Sequence, residues 1–212
     1  MKPRLSQAKP DIVEKYWKWL CSLPKDNNPT INNDGDIDES ENQRHDAGEF
    51  FFLSFVLGGS KQRNCTVPKE KKKILIPSLC FLASEAEAKR SRHTASLKKF
   101  AETDHDNIEY RSIEIDGNPI VGNIDRYRVE ADNFTVKYSH NPIFNAGPGE
   151  ECKAAADGAY VVWEPEGPGQ HIIHFKGKVG VPDDERPCLE CRAYEEDVTY
   201  TLTIPNVNST QQ

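Results

Sequence analysis

Val198-Thr199-Tyr200-Thr201-Leu202-Thr203-Ile204 alternates without a break. Val198, Tyr200, Leu202 and Ile204 fall on one face of an extended chain and the three threonines on the other. A strand so divided sets its apolar face on a core and its polar face in water, which is the habit of antiparallel sheets. Upstream, Ile108 to Ile115, Asp125 to Val129, Asn133 to Tyr138, Ala159 to Glu164 and Gln170 to Lys176 read as further short strands. Asp116-Gly117-Asn118-Pro119 and Asp157-Gly158 read as the turns between them.

Nearer the N-terminus the texture changes. Phe50 to Leu57 is continuously apolar, which suits a central strand buried on both faces and closed by Gly58-Gly59. Cys65-Thr66-Val67 and Ile74 to Pro77 follow as strands joined through the charged Pro68 to Lys73. Ile12, Val13, Tyr16, Trp19, Leu20 and Leu23 recur at helical spacing, Asp11 with Glu14 has the form of a capping pair, and Pro24 stops the run. The spacing therefore predicts a helix over 11–23. Ser84 with Glu87 resembles a second helix start, and the Ala, Lys and Arg content supports a helical region over 84–103. Its only large apolar residues are Leu97 and Phe100, so it is expected at the surface. Eight or nine strands, few helices and no linker near the midpoint predict a mainly β chain: one antiparallel β-sandwich domain over 1–212.

Charge and hydropathy exclude some partners. The 27 basic residues against 34 acidic ones give a net charge of −7, and the basic runs Lys69 to Lys73 and Lys89 to Arg92 are short and flanked by Glu, so nucleic acid is not the expected partner. No apolar stretch approaches the roughly 20 residues of a membrane-spanning helix, so no membrane partner is expected either. The N-terminus shows no secretory pattern, which predicts a cytoplasmic location and makes the sequons at Asn64, Asn133 and Asn208 incidental. Between Lys25 and Gly48 the chain is polar and acidic. Asn32, Asp34, Asp36 and Asp38 alternate there, but no glycine sits where an EF-hand needs one, so the segment reads as a solvated loop.

Several phrases occur together in order: Tyr16-Trp17-Lys18-Trp19, Phe50-Phe51-Phe52-Leu53 with Gly58-Gly59, Arg63-Asn64-Cys65-Thr66-Val67-Pro68 and Ile74-Leu75-Ile76-Pro77. Tyr127-Arg128-Val129, Asp157-Gly158-Ala159-Tyr160 and Gly169 to Phe175 continue the series. With these the chain resembles an uncharacterised prokaryotic β-rich family, many of whose members are exported. The resemblance implies a β-rich fold and assigns no activity. The absence of a signal pattern and the Cys188 segment set this chain apart from it.

One cluster carries suggestive chemistry. Six cysteines are too few for a disulfide scaffold; Cys21 and Cys80 lie in apolar runs and read as small buried residues. Pro187-Cys188-Leu189-Glu190-Cys191 has the knuckle spacing by which two thiolates share a zinc, and Cys152, read as a loop residue, is the nearest further thiol in sequence. Cys152, Cys188 and Cys191 with His174, or with His140, would make four ligands; a disulfide among the same cysteines is the other reading. His171 and His174 sit three apart on a strand and so point to opposite faces. Trp163, Tyr160 and Tyr194 offer either flat binding surface or core. There is no nucleophile elbow, P-loop or dinucleotide fingerprint. The function expected is therefore a soluble non-enzymatic binding or interaction domain for a small molecule, carbohydrate or protein, with a zinc-dependent hydrolytic enzyme as the alternative.

Overall fold

A computed structural model describes residues 3–31, 47–91, 96–180 and 194–206. In chain order its elements are β1 (Arg4–Gln7), α1 (Pro10–Ser22), β2 (Phe50–Phe52), β3 (Gly59–Thr66), β4 (Lys73–Ser84), α2 (Glu85–Ser91), α3 (Leu97–His105), β5 (Ile108–Ile115), β6 (Asn118–Pro119), β7 (Arg128–Lys137), β8 (Glu151–Glu164), β9 (Gly169–Val179) and β10 (Tyr194–Ile204). Among the described residues the chain is mainly β, with two five-stranded sheets and few helices. In the first sheet β8 is long enough to carry β4 on one edge and both β1 and β7 on the other. The second sheet runs β3-β10-β9-β5-β6.

The opening stretch lies in β10, near the middle of the second sheet. Val198, Tyr200 and Leu202 are buried and the threonines between them are not, as the alternation requires. The pairing is not wholly antiparallel, however. β3 runs parallel to β10 and β2 runs parallel to β4. The reason is connectivity: the chain leaves β2 for the second sheet, forms β3 there, and returns as β4, so β2 and β4 point the same way. The Phe50 strand is also shorter than expected and lies at a sheet edge, with only Phe50–Phe52 paired. It is buried nonetheless, because α1 covers it: the Tyr16 and Trp19 rings lie 5.6 Å from that of Phe52, and Trp17 lies 5.8 Å from Phe55. Trp17 also donates to the Tyr160 hydroxyl at 2.7 Å. These aromatic contacts, with residues of both sheets, form one continuous apolar core.

The helices differ from expectation at their ends. Pro10 occupies the first turn of α1, so the helix begins one residue early, and the expected Asp11 and Glu14 capping pair is replaced by an N-cap at Lys9 with no side-chain bond. The mid-chain region forms two helices rather than one. At the first, Ser84 and Glu87 make the reciprocal capping pair: Glu87 N donates to Ser84 Oγ at 3.3 Å and Ser84 N to Glu87 Oε2 at 3.2 Å. At the second, Ser96 Oγ accepts from Lys99 N at 3.2 Å, and α3 then runs past Thr103 to a buried His105. It packs on β4 and β8 through Ala101 and His105, so it is not merely a surface helix. No helix among the described residues is long and apolar enough to cross a membrane.

The decisive irregularity is in β4. Ser78 pairs with Ala159 and Phe81 with Asp157, so Leu79 and Cys80 together face the single residue Gly158. Pro77, which cannot donate to a ladder, lies two residues before Leu79, and Leu79 takes a left-handed conformation at φ 46°. Asp157-Gly158 is therefore not the turn that its sequence resembles. It lies within β8, and glycine is required because a Cβ there would stand 2.7 Å from both Cys80 Cα and Cys80 Sγ. Gly177, on β9, is constrained in the same way by the Leu79 side chain, 2.7 Å from where its Cβ would be. Gly158→Ala is accordingly expected to lose about 1–3 kcal/mol in urea unfolding, since backbone as well as side chain must shift. An unchanged unfolding midpoint would contradict this packing.

Candidate functional site

The bulge interrupts the ladder at one peptide unit, and side chains take over its polar groups. Leu79 N donates to Glu196 Oε1 at 3.0 Å, and Arg111 Nη1 reaches the Ser78 carbonyl at 3.5 Å. Glu196 belongs to β10, beside Gly177 of β9, and projects from the face that carries Val198 and Tyr200. Arg111 belongs to β5, where its side chain is only 5% exposed. Both therefore come from the second sheet to a peptide of the first.

Arg111 is also held from outside. Its Nη2 donates to Asp125 Oδ1 and approaches His105 Nε2 at 3.1 Å. Because a guanidinium has only donors, His105 Nε2 must be the acceptor, which places the imidazole proton on Nδ1. Local sequence explains both partners. α3 ends at His105 just before β5, with Asn107 Nδ2 donating to the Thr103 carbonyl at 2.7 Å. Asp125 is set by Asn123, whose side-chain oxygen accepts from Asp125 N at 2.9 Å and caps a short 3-10 turn over Ile124–Tyr127. Beside them, Arg128 clasps the buried Asp157 through Nε at 2.9 Å and Nη2 at 2.5 Å.

The electrostatics follow from burial and these bonds. Burial lowers the His105 pKa, with the nearby Asp157 carboxylate opposing and Arg128 and Arg111 reinforcing the shift, so the ring is neutral at pH 7. Burial pushes the Asp125 carboxyl up, but hydrogen bonds from Arg111 and Asn123 outweigh it and hold the group below its usual range. Glu196 is raised to about 8 by burial, only partly offset by the Leu79 N–H and by Arg111. Its Oε2 has no hydrogen-bond partner among the described residues. Together His105, Arg111, Asp125 and Arg128, with Asp106, Glu109, Tyr110 and Asn123, line an open pocket of about 500 Å³.

The residues singled out from the sequence lie elsewhere. Cys152 is not in a loop: it is a buried residue of β8, opposite Val136 of β7. Burial raises its thiol pKa, as it does that of Cys21. His174 is on the outer face of the second sheet, 2.8 Å from Asp197 Oδ1, and so on a different sheet from Cys152. Cys188 and Cys191 lie outside the described residues. Exposed His140 stands beside Gly149 after β7. His171 faces inward, with Trp163 against its ring at 5.1 Å and Asp116 Oδ2 at 2.8 Å from Nδ1, opposite in facing to His174 as the strand period requires. Among the described residues no three His, Cys, Asp or Glu side chains are gathered as metal ligands. Trp163 and Tyr160 are core, and Tyr194 packs half-buried against the small cluster of Leu79, Phe81 and Val179. Sequence reasoning missed the Arg111 pocket because its members come from two stretches, 105–111 and 122–128, with no shared motif. The available signals were Pro77 inside a strand and Gly158 within an apolar run. Comparison with protein-family models, with curated proteins and with solved structures finds no match for this chain.

Glu196 gives a direct test of the site's foundation. Its carboxyl titrates near 8 when folded against an ordinary 4.5, so folding favours the protonated form. That contribution is complete below about pH 4.5 and is lost as pH rises through about 8. Urea unfolding across this range is expected to show wild-type stability falling with pH and Glu196→Gln removing that fall, so that the variant is the more stable protein above about pH 8. Parallel stability profiles for the two proteins would contradict the assignment.

Proposed function

We propose that the chain is a non-enzymatic binding domain whose small polar ligand enters the pocket over Arg111. In this reading the two sheets form a β-sandwich with α1 as its N-terminal brace, and the sandwich is the rigid frame that presents the pocket. The observation that carries the reading is the state of Arg111 and its partners. A buried guanidinium is fixed by Ser78, His105 and Asp125, and a partly exposed one, that of Arg128, is fixed by Asp157, so polar groups from β5, α3, β7 and the 123–127 turn converge in prearranged positions. Such groups recognise well and transfer protons poorly. His105 already engages its Nε2 lone pair with Arg111 and presents only an N–H, which makes it a donor rather than a base.

The lining favours a hydrogen-bonding molecule over a stacked or greasy one. The large exposed apolar residues among those described, Leu57, Tyr110, Val121 and Ile172, come from separate segments, and only Tyr110 lines this pocket. The test is a mixture of chemically varied small fragments added to the isotopically labelled chain. Amide shifts are expected to concentrate in 105–111 and 122–128, and to weaken in Asp125→Asn, whose side chain is more than half exposed and whose own spectrum shows whether it is folded. Shifts confined to other surfaces, or none, would contradict the proposal.

A further inference from the structure

The pocket has an unequal supply of donors and acceptors. Arg111 uses one Nη1–H on Ser78 and both Nη2–H on His105 and Asp125, which leaves Nε–H and the second Nη1–H. Arg128 uses Nε–H and one Nη2–H on Asp157, which leaves both Nη1–H and the second Nη2–H. His105, 8% exposed, carries its proton on Nδ1, and among the described residues nothing accepts it. Two of these three side chains are more than nine-tenths buried, yet none of these open donor atoms is among the fully buried polar atoms without a partner, so each is left to water or to a ligand. What they require is acceptor oxygen.

The charge balance limits what can bring that oxygen. The Arg111 charge is matched by Asp125 and the Arg128 charge by Asp157. Asp106 adds a carboxylate to the lining with no ion-pair partner among the described residues, and Glu109 adds another that Lys178 meets at 2.6 Å. A dianion such as phosphate would therefore find the lining cations already matched, with Arg126 beside Gly122 at the rim as the nearest unmatched charge among the described residues, and would meet the Asp106 carboxylate in the lining. A carboxylate accompanied by its own ammonium meets both conditions. Its oxygens satisfy the guanidinium donors, and its ammonium is attracted to Asp106 and to the exposed Asp125 carboxylate.

Resting on the binding-domain reading above, we infer that the pocket takes a small zwitterion of the amino-acid class, its carboxylate on the Arg111 and Arg128 donors and its ammonium beside Asp106 and Asp125. An open volume of about 500 Å³ accommodates such a molecule with its side chain toward solvent.

The test is an amide-shift titration of the full chain with the common amino acids added singly, and with acetate, ethylammonium, inorganic phosphate and glucose as separate probes. At least one amino acid is expected to shift the amides of 105–111 and 122–128 and to bind about ten-fold or more tighter than acetate or ethylammonium, a separation that the second charge supplies. Phosphate is expected to leave those amides unmoved. Asp125→Asn is expected to weaken the amino acid about ten-fold while leaving acetate no weaker, and its own spectrum shows whether it is folded. Acetate binding as tightly as every amino acid, or phosphate binding more tightly, would overturn the zwitterion. Glucose or a neutral fragment shifting these amides while no amino acid does would also overturn it and leave the binding pocket standing. Silence of these amides toward every probe and toward the fragment mixture would overturn both.

Discussion

The peptide unit between Ser78 and Leu79 presents its carbonyl to Arg111 and its N–H to the buried Glu196 carboxyl. A bulge in a strand at the middle of a sheet would otherwise leave those groups without ladder partners in the interior, at about 1–3 kcal/mol each. Holding Leu79 in the left-handed region adds a further cost of about 1–3 kcal/mol, which the surrounding packing must sustain. Two glycines show how it does so. Gly158 admits the Cys80 backbone and Gly177 admits the Leu79 side chain, so the bulged residues fit between β8 on one side and β9 on the other. The Cys80 thiol, donating to the Ala159 carbonyl at 3.3 Å, closes the same region from within.

From this peptide the arrangement spreads outward. Arg111 is drawn inward to the Ser78 carbonyl, and so its outer edge is available to order His105 and Asp125. Those two residues in turn fix the end of α3 and the turn after Asn123. Asp157 lies on β8 next to Gly158, which brings the Arg128 clasp beside the Arg111 group. The pocket is therefore a consequence of the bulge as much as of its own residues. On the far side, the Tyr16, Trp17 and Trp19 rings of α1 pack over β2 and Tyr160, which gives the first sheet the thickness to bury a carboxyl at its centre.

The legible parts of this molecule were those decided locally. The Val198 to Ile204 alternation, the apolar stripe of α1 and the Ser84 and Glu87 pair each depend on residues within a few positions of one another, and each forms. Parallel pairing of β2 with β4 depends on where the chain goes between them, which periodicity does not record. Asp157-Gly158 has the composition of a turn, yet its glycine answers to Cys80, nearly eighty positions away in the chain. Cys152 sits among charged neighbours in sequence, and the strand period alone turns it inward while Glu151 and Lys153 face out. The Arg111 group was illegible for the same reason: isolated Arg, His and Asp residues carry no spacing signal until a bulge brings them together.

The most direct measurement of the account is a pH titration of Glu196 by its side-chain carboxyl carbon, followed together with the Leu79 amide proton. The account predicts a shared midpoint near 8, with the Leu79 amide moving as the carboxyl that accepts its hydrogen bond ionises. A Glu196 midpoint near the ordinary 4.5, or a Leu79 amide indifferent to it, would contradict the placement of a buried carboxyl beneath the bulge.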